Sequence, residues 1–118
     1  MTGTTAPVRE LHIYRRYFDL VAAGEKTTEV RVRYPRLADL TVGEVIRFRI
    51  KGTEETCDVQ VTRVTEYENF EALLDGEGAS TVNPTRTRED QLANIRSIYP
   101  PEKEALGPLA IGIELIKN

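Results

Sequence analysis

GEKTTEVRVR, residues 24–33, is the stretch that decides how this sequence folds. Gly24 follows a helical pattern and suits the left-handed residue that ends a helix. Beyond it the alternation predicts a strand, because successive strand residues face opposite sides. One face would carry Thr28, Val30 and Val32, which have the composition of a core, and the other would carry Thr27, Glu29, Arg31 and Arg33.

Lys26, Glu29 and Arg31 carry most of the chemistry in this stretch. Glu29 lies between two cations, so it stays ionised and holds them by charge-assisted hydrogen bonds. Burying such groups without partners would cost several kcal/mol. We therefore expect them to meet at one concave site, paired with one another and partly open to solvent. The row suits a polar anion or a base edge with its phosphate, and spacing alone leaves a solvated strand face with cross-strand ion pairs as the alternative.

The flanking patterns predict an α+β domain. Strands are expected over residues 8–14, 27–33, 45–50, 57–64 and 109–116, with a β-bulge after Val61. One helix is expected over 15–23, a second from the N-cap residue Asn69 to Gly76, and a third from the N-cap residue Thr87 to Pro100, with a loop over 77–86. Five or six short strands with helices at the margins favour a small mixed β-barrel.

Composition limits the class of protein. The chain has 118 residues, of which 40% are hydrophobic and 30% charged, as in one globular domain. One cysteine and one histidine argue against a disulfide framework and a zinc site, so we expect no metal and no cofactor. No apolar run approaches the roughly 20 residues of a membrane helix. Residues 1–7 lack a signal-peptide pattern, so we expect a flexible tail there, a cytoplasmic location and no membrane partner.

Charge is unevenly distributed along the chain. The net charge is −3, yet residues 9–51 carry ten Lys and Arg against six Asp and Glu. The basic part suits a phosphate-bearing ligand, and ordinary surface scatter is the alternative interpretation.

The same stretch resembles a known family. Gly24, Lys26, Glu29 and Arg31 match the GxKxxExR signature of ASCH domains, the activating-signal-cointegrator homology group. Further pieces are similar to the family pattern and come in its order, from about Leu11 to Ile116: the helix at 17–20, the turn at 42–44, the strand at 59–64, Tyr67 and Phe70, residues 98–100 and the closing strand at 110–114.

The resemblance implies a PUA-like barrel over residues 8–118, with five to six strands and two or three marginal helices. Family members are generally proposed to bind RNA or nucleotides in a cleft over the barrel mouth. Single-stranded RNA, a nucleotide or a nucleoside is therefore the expected partner. The residues expected to bind it are Tyr17, Lys26, Thr27, Glu29, Arg31, Arg33 and Arg86, the last on a flexible stretch over 85–88.

An enzyme of the same fold is the alternative, with Lys26 and Glu29 as catalytic candidates. The resemblance implies this because one relative is a ribonuclease on single-stranded RNA and one bacterial branch is a hydrolase of a modified nucleoside. Lys26 matches the lysine of an acetylcytidine deacetylase branch, whereas two other positions of that branch differ here. Arg31 would lower the pKa of Lys26 and Glu29 would raise it, so the sequence leaves its reactivity open. An interaction module without a ligand is a third interpretation.

Tyr99 has two interpretations. It precedes Pro100 at the end of a helical pattern, where it is either a core residue or a ring on which a base stacks.

Overall fold

A computed structural model describes residues 8–117, so the tail predicted over 1–7 lies outside the described residues. The strands are β1 (Val8–Ile13), β2 (Thr28–Val32), β3 (Val45–Ile50), β4 (Thr56–Glu66) and β5 (Pro108–Leu115). The helices are α1 (Arg15–Ala22), α2 (Phe70–Glu77), α3 (Ala79–Val82), α4 (Arg88–Ile98) and α5 (Pro101–Glu104), with a 3-10 turn at Pro35–Leu37.

The five strands form one curled sheet in the order β1-β3-β4-β5-β2. β1 pairs with β3 in parallel, and the other neighbours are antiparallel. No strand pairing among residues 8–117 joins the two edge strands, β1 and β2. The predicted α+β class and small mixed β-barrel are therefore confirmed, and the barrel has the form of an open half-barrel with a gap between β1 and β2, called the seam below.

The predicted bulge is present in β4. The register between β4 and β5 shifts between Val61 and Arg63, which leaves Thr62 without a partner in the ladder. Val59 and Val61 point into the core before the shift, and Val64 packs against it afterwards. The extra residue keeps the apolar side chains on one face where strict alternation would have turned Val64 outward.

Two apolar clusters pack on opposite faces of the sheet. The inner cluster fills the curl with side chains from β1, β3, β4 and β5 and is covered by α1 through Phe18 and Val21. The outer cluster joins Val32 and Ala110 of the sheet to α2, α3 and α4. The chain is therefore layered as helix, curled sheet and helices.

β2 is buried on both faces, unlike the one-sided strand that the sequence predicts. Its apolar residues Val30 and Val32 pack on the helical layer. Glu29 and Arg31 lie opposite Ile111 and Leu109 of the inner cluster, and paired residues share a face. The predicted alternation is correct, but the charged face turns into the curl because α2 and α4 occupy the outer side.

The region after α2 differs from the prediction. Gly76 does not end the helix, which continues to Glu77 and stops at Gly78, whose φ is +88°. Gly76 has another role: a Cβ there would lie 2.6 Å from the Tyr67 hydroxyl, so the ring packs directly on the glycine and a larger residue would displace it. The predicted loop over 77–86 also contains the single-turn helix α3. The predicted caps are confirmed, since the Asn69 and Thr87 side chains accept from the backbone N–H of Ala72 and Asp90.

Candidate functional site

Lys26 is held between α1 and β2 by the turn at Gly24. That glycine has a φ of +77°, and the backbone N–H groups of Glu25 and Lys26 both donate to the Leu20 carbonyl. The Lys26 side chain is only 4% exposed. Its Nζ donates to the carbonyls of Thr28 (2.9 Å) and Val82 (3.0 Å) and lies 3.4 Å from Oε1 of Glu29. Three acceptors match the three N–H bonds of an ammonium group.

Glu29 joins the two cations. Its Oε1 faces Lys26, and its Oε2 accepts a 2.7 Å hydrogen bond from Nε of Arg31. Nη2 of Arg31 lies 2.7 Å from the same oxygen and also donates to the His12 carbonyl across the seam. The three side chains meet at one concave site, as strand parity predicts, but they are more buried than expected and open to solvent mainly through Arg31, whose side chain is 14% exposed.

Burial and charge act in opposite directions on these groups. Burial lowers the pKa of Lys26 below its usual value, and Glu29 offsets only part of this effect. Burial would raise the pKa of Glu29, but Arg31 and Lys26 outweigh it and hold that pKa below its usual value. Burial would lower the pKa of Arg31, yet Glu29 outweighs it and the pKa is raised. Glu29 and Arg31 therefore form an ionised pair at neutral pH.

A cavity of about 590 Å³ opens over this triad, within the size range of small-molecule sites. Its walls come from the end of β1, α1, β2, the segment after α3, and α4. Lys51 beside β3 completes them. The lining residues are His12, Ile13, Tyr14, Arg16, Tyr17, Lys26, Glu29, Val30, Arg31, Lys51, Val82, Asn83, Arg86, Asp90, Gln91, Ala93, Asn94, Ile95, Ile98 and Tyr99.

The cavity is positively charged although the whole chain is acidic. Five Lys and Arg side chains line it against the carboxylates of Glu29 and Asp90, whereas the chain has a net charge of −3. Arg16, Lys51 and Arg86 make no ion pair with any carboxylate of residues 8–117. Their charge is therefore available to an anionic ligand.

Gln91 positions the segment that carries Arg86. Its Nε2 lies 2.9 Å from the carbonyls of Ala79 and Asn83 and 3.1 Å from that of Arg86. Its Oε1 is buried without a hydrogen-bond partner in the described part of the chain. A buried acceptor without a partner is uncommon in native folds.

Aromatic rings form another part of the wall. The Tyr17 ring lies 5.5 Å from Nζ of Lys26, and its hydroxyl is bonded to Nδ2 of Asn94. Tyr99, for which the sequence leaves two interpretations, combines features of both: it packs against Phe70 of the outer cluster and also lines the cavity. Burial raises its pKa, so its hydroxyl stays protonated at neutral pH.

The structure brings five of the seven predicted ligand residues to the cavity: Tyr17, Lys26, Glu29, Arg31 and Arg86. Thr27 precedes β2, is exposed, and lines a different cavity together with Val21 and Ile113. Arg33 is also exposed, and its Nη1 donates to Glu66 on β4. The strand passes the end of the cavity at Arg31, so Arg33 lies beyond the wall although it shares the alternation.

The sequence patterns do not predict Asn83, Gln91, Asn94, Arg16 and Lys51 as wall residues. No motif or period links them, because they come from separated segments that meet only in the fold. In the sequence, the stretch 85–88 is distinguished only by its two cations. No local pattern predicts that this region contacts Gln91.

Residues 8–117 contain no group of three or more His, Cys, Asp or Glu side chains that could hold a metal ion. Over the same range, every helix is too short or too polar to span a membrane.

Comparison with solved structures shows the same architecture elsewhere. The hypothetical protein PH0355 is 28% identical, with a TM-score of 0.83 over 93% of this chain and 100% of that one. Protein PF0455 from Pyrococcus furiosus is 26% identical, with a TM-score of 0.76 over 95% of this chain and 100% of its own. The ASCH domain from Lactobacillus crispatus JV V101 is 13% identical, with a TM-score of 0.70 over 91% of this chain and 79% of that chain, and shows the shared fold.

Comparison by sequence identifies the family. No protein with a curated description matches the chain. The model of the ASCH domain family, however, matches residues 11–117, nearly the whole length and including the GxKxxExR stretch. The chain therefore belongs to the ASCH domain family.

Proposed function

We propose that this protein binds a nucleotide, a nucleoside or a nucleotide unit of single-stranded RNA in the cavity over Lys26, Glu29 and Arg31. The observation that carries the proposal is the charge of the cavity: it is lined by five Lys and Arg side chains in a chain of net charge −3. Unpaired cations at a cavity attract phosphate, which supplies most of the affinity of nucleic-acid binders.

A polar side chain in the wall suits a base edge. Arg31 uses Nε and Nη2 for Glu29 and His12, and its guanidinium also interacts with the Tyr99 side chain. Asn83 accepts from Thr85 through Oδ1, and its amide nitrogen makes no hydrogen bond to the described residues. Asn83 therefore offers a hydrogen-bond donor to the edge of a base.

Lys26 and Glu29 serve this function by positioning Arg31 and the wall. All three N–H bonds of Lys26 are used, and both oxygens of Glu29 are paired. A general base or nucleophile needs a free lone pair within reach of the substrate. The geometry therefore supports binding more directly than catalysis by these two candidates.

Titration of the protein at low salt with labelled single-stranded RNA and with the four nucleoside monophosphates tests the proposal. We expect saturable binding that weakens as salt rises, because bound phosphates release counterions. Arg86→Ala should make the salt dependence shallower by roughly 0.7 in logarithmic slope, the value for one phosphate that is no longer neutralised. Lys117→Ala is the matched control, since Lys117 also lacks an ion pair within residues 8–117 but does not line the cavity.

Absence of binding to every probe would overturn the proposal, and so would equal effects of Arg86→Ala and Lys117→Ala. The enzyme alternative has a separate test. RNA and acetylated cytidine are incubated with the wild type and with Lys26→Ala and Glu29→Ala, and products are followed by chromatography. Turnover that disappears in both variants would establish an enzyme, whereas cleavage that persists in both indicates a contaminating nuclease.

A further inference from the structure

We propose that Tyr14 and Arg16 form a second subsite at the rim of the cavity, which stacks the base adjacent to the nucleotide held inside. The inference rests on the proposed function and makes it more specific. It assigns to this protein a single-stranded segment of at least two nucleotides as the ligand, in preference to a free mononucleotide.

The two side chains are placed by the corner between β1 and α1. Tyr14 is the residue between the end of β1 and the first residue of α1. It is 60% exposed, yet it lines the cavity, and its ring lies 6.4 Å from the ring of Tyr17. A tyrosine that borders a cavity and remains largely in solvent offers a ring face to a base.

Arg16 is held against both rings. Its guanidinium carbon lies 5.3 Å from the centre of Tyr14 and 4.8 Å from the centre of Tyr17. Cation–π contact orients the guanidinium without neutralising it, and Arg16 makes no ion pair with the carboxylates of residues 8–117. Neighbouring Arg15 differs in this respect, because it pairs with Glu55 and Asp19. Arg16 is therefore free to contact a phosphate beside a base stacked on Tyr14.

The rim leads directly into the cavity. From Tyr14 the contacts run through Arg16 to Tyr17 and then to Lys26, whose Nζ lies 5.5 Å from the Tyr17 ring. A second aromatic and cationic group adjoins the wall at Tyr99, whose ring lies 6.5 Å from that of Tyr34, with Nζ of Lys103 5.6 Å from the Tyr34 ring. Rings alternating with cations along a positive groove are the pattern of single-strand binding.

The experiment compares two probes by calorimetry or fluorescence anisotropy: single-stranded RNA hexamers of random sequence and the four nucleoside monophosphates. The wild type should bind the hexamers at least about tenfold more tightly than any monophosphate, because each stacked base adds affinity. Tyr14→Ala and Arg16→Ala should remove most of this difference, because each should weaken hexamer binding several-fold more than monophosphate binding. Some loss for the monophosphates is expected in Arg16→Ala, since Arg16 also contributes to the charge of the cavity. Tyr14→Phe keeps the ring and should retain the wild-type preference.

Arg15→Ala is the charge-matched control, one residue away and paired with carboxylates, and it should retain the hexamer preference. Equal affinity of the wild type for hexamer and monophosphate would overturn the subsite while leaving the proposed function intact. An equal loss for both probes in Tyr14→Ala would also overturn it. If neither probe binds the wild type, the proposed function itself fails, which distinguishes the two outcomes.

Discussion

Nη2 of Arg31 donates a 2.9 Å hydrogen bond to the backbone carbonyl of His12, across the seam between the two edge strands of the half-barrel. Within residues 8–117 the strands themselves do not pair there. One side chain of the signature stretch therefore connects β2 to β1 and also forms part of the cavity wall. Because the same guanidinium is bonded to Glu29, Arg31 both bridges the seam and contributes to the charge of the site.

Arg31 and Arg33 should differ sharply in their effect on RNA binding. Both lie on the same strand face, but Arg31 lines the cavity and Arg33 pairs with Glu66 outside it. Loss of a charged hydrogen-bond donor costs about 1.5–3 kcal/mol, so Arg31→Ala should weaken binding by at least about tenfold. Arg33→Ala should stay within about twofold.

Thermal melting of both variants accompanies the titration. Arg31→Lys separates the roles of charge and geometry, since lysine keeps the charge but lacks the planar fork that serves Glu29 and His12 together. Equal losses of affinity in Arg31→Ala and Arg33→Ala would contradict the assignment of the wall.

Glu29→Gln should destabilise the fold strongly at neutral pH. The carboxylate is buried between Lys26 and Arg31, and removing one partner of a buried ion pair typically costs about 3–5 kcal/mol. The pKa of Glu29 is lower in the folded chain than its usual value. Its stabilisation is therefore fully present above the unfolded pKa of about 4.3 and is lost as pH falls through the folded pKa.

Urea unfolding at several pH values between about 7 and 3, a range that spans the unfolded pKa, measures this effect. The difference in free energy of unfolding between wild type and Glu29→Gln should be largest at neutral pH and shrink as the solution becomes more acidic. A difference that is constant over this range would show that packing, and not charge, is the cause.

Gly112→Ala should destabilise the sheet at the β4 bulge. A Cβ at this position would lie 2.7 Å from Oγ1 of Thr62 and 3.1 Å from Cβ of Arg63. Forcing an extra methyl into such a space usually costs about 1–3 kcal/mol. The free energy of unfolding measures the cost, and the double variant Gly112→Ala with Thr62→Ala should recover part of it because the nearest atom is then gone. No recovery would place the strain elsewhere.

Cys57 should react slowly with iodoacetamide in the native protein. Burial, and then the charge of Asp58, raise the pKa of its thiol to about 11, and only the thiolate attacks alkylating reagents. Labelling near neutral pH, followed by mass spectrometry, should be about a hundredfold slower in the folded chain than in urea, where the pKa is about 8.5. The native labelling rate should rise as the pH is increased towards the pKa of the folded thiol. Similar rates in both states would contradict the burial of this side chain.

Local patterns predict most of the elements correctly. The alternation around Val30, the caps at Asn69 and Thr87 and the slip after Val61 each depend on neighbours within a few residues, which the sequence displays directly. The expectation that Gly76 ends a helix is wrong for the opposite reason. The role of this glycine comes from Tyr67 in the preceding segment, whose ring occupies the space of a Cβ.

The candidate site also combines features that the sequence predicts with features that depend on the fold. By itself, the sequence determined that Lys26, Glu29 and Arg31 would form one charged cluster, because turn and strand geometry place residues so close in the chain together. Only the tertiary structure decided which way that cluster faces, since α2 and α4 cover the other side of β2. It also decided where the wall ends, which includes Arg31 and leaves out Arg33. Polar and basic side chains of α1, of α4 and of the segment before α4 also line the cavity. They meet there through contacts between distant segments. Such contacts depend on how the whole chain packs, and a local period in the sequence does not encode them.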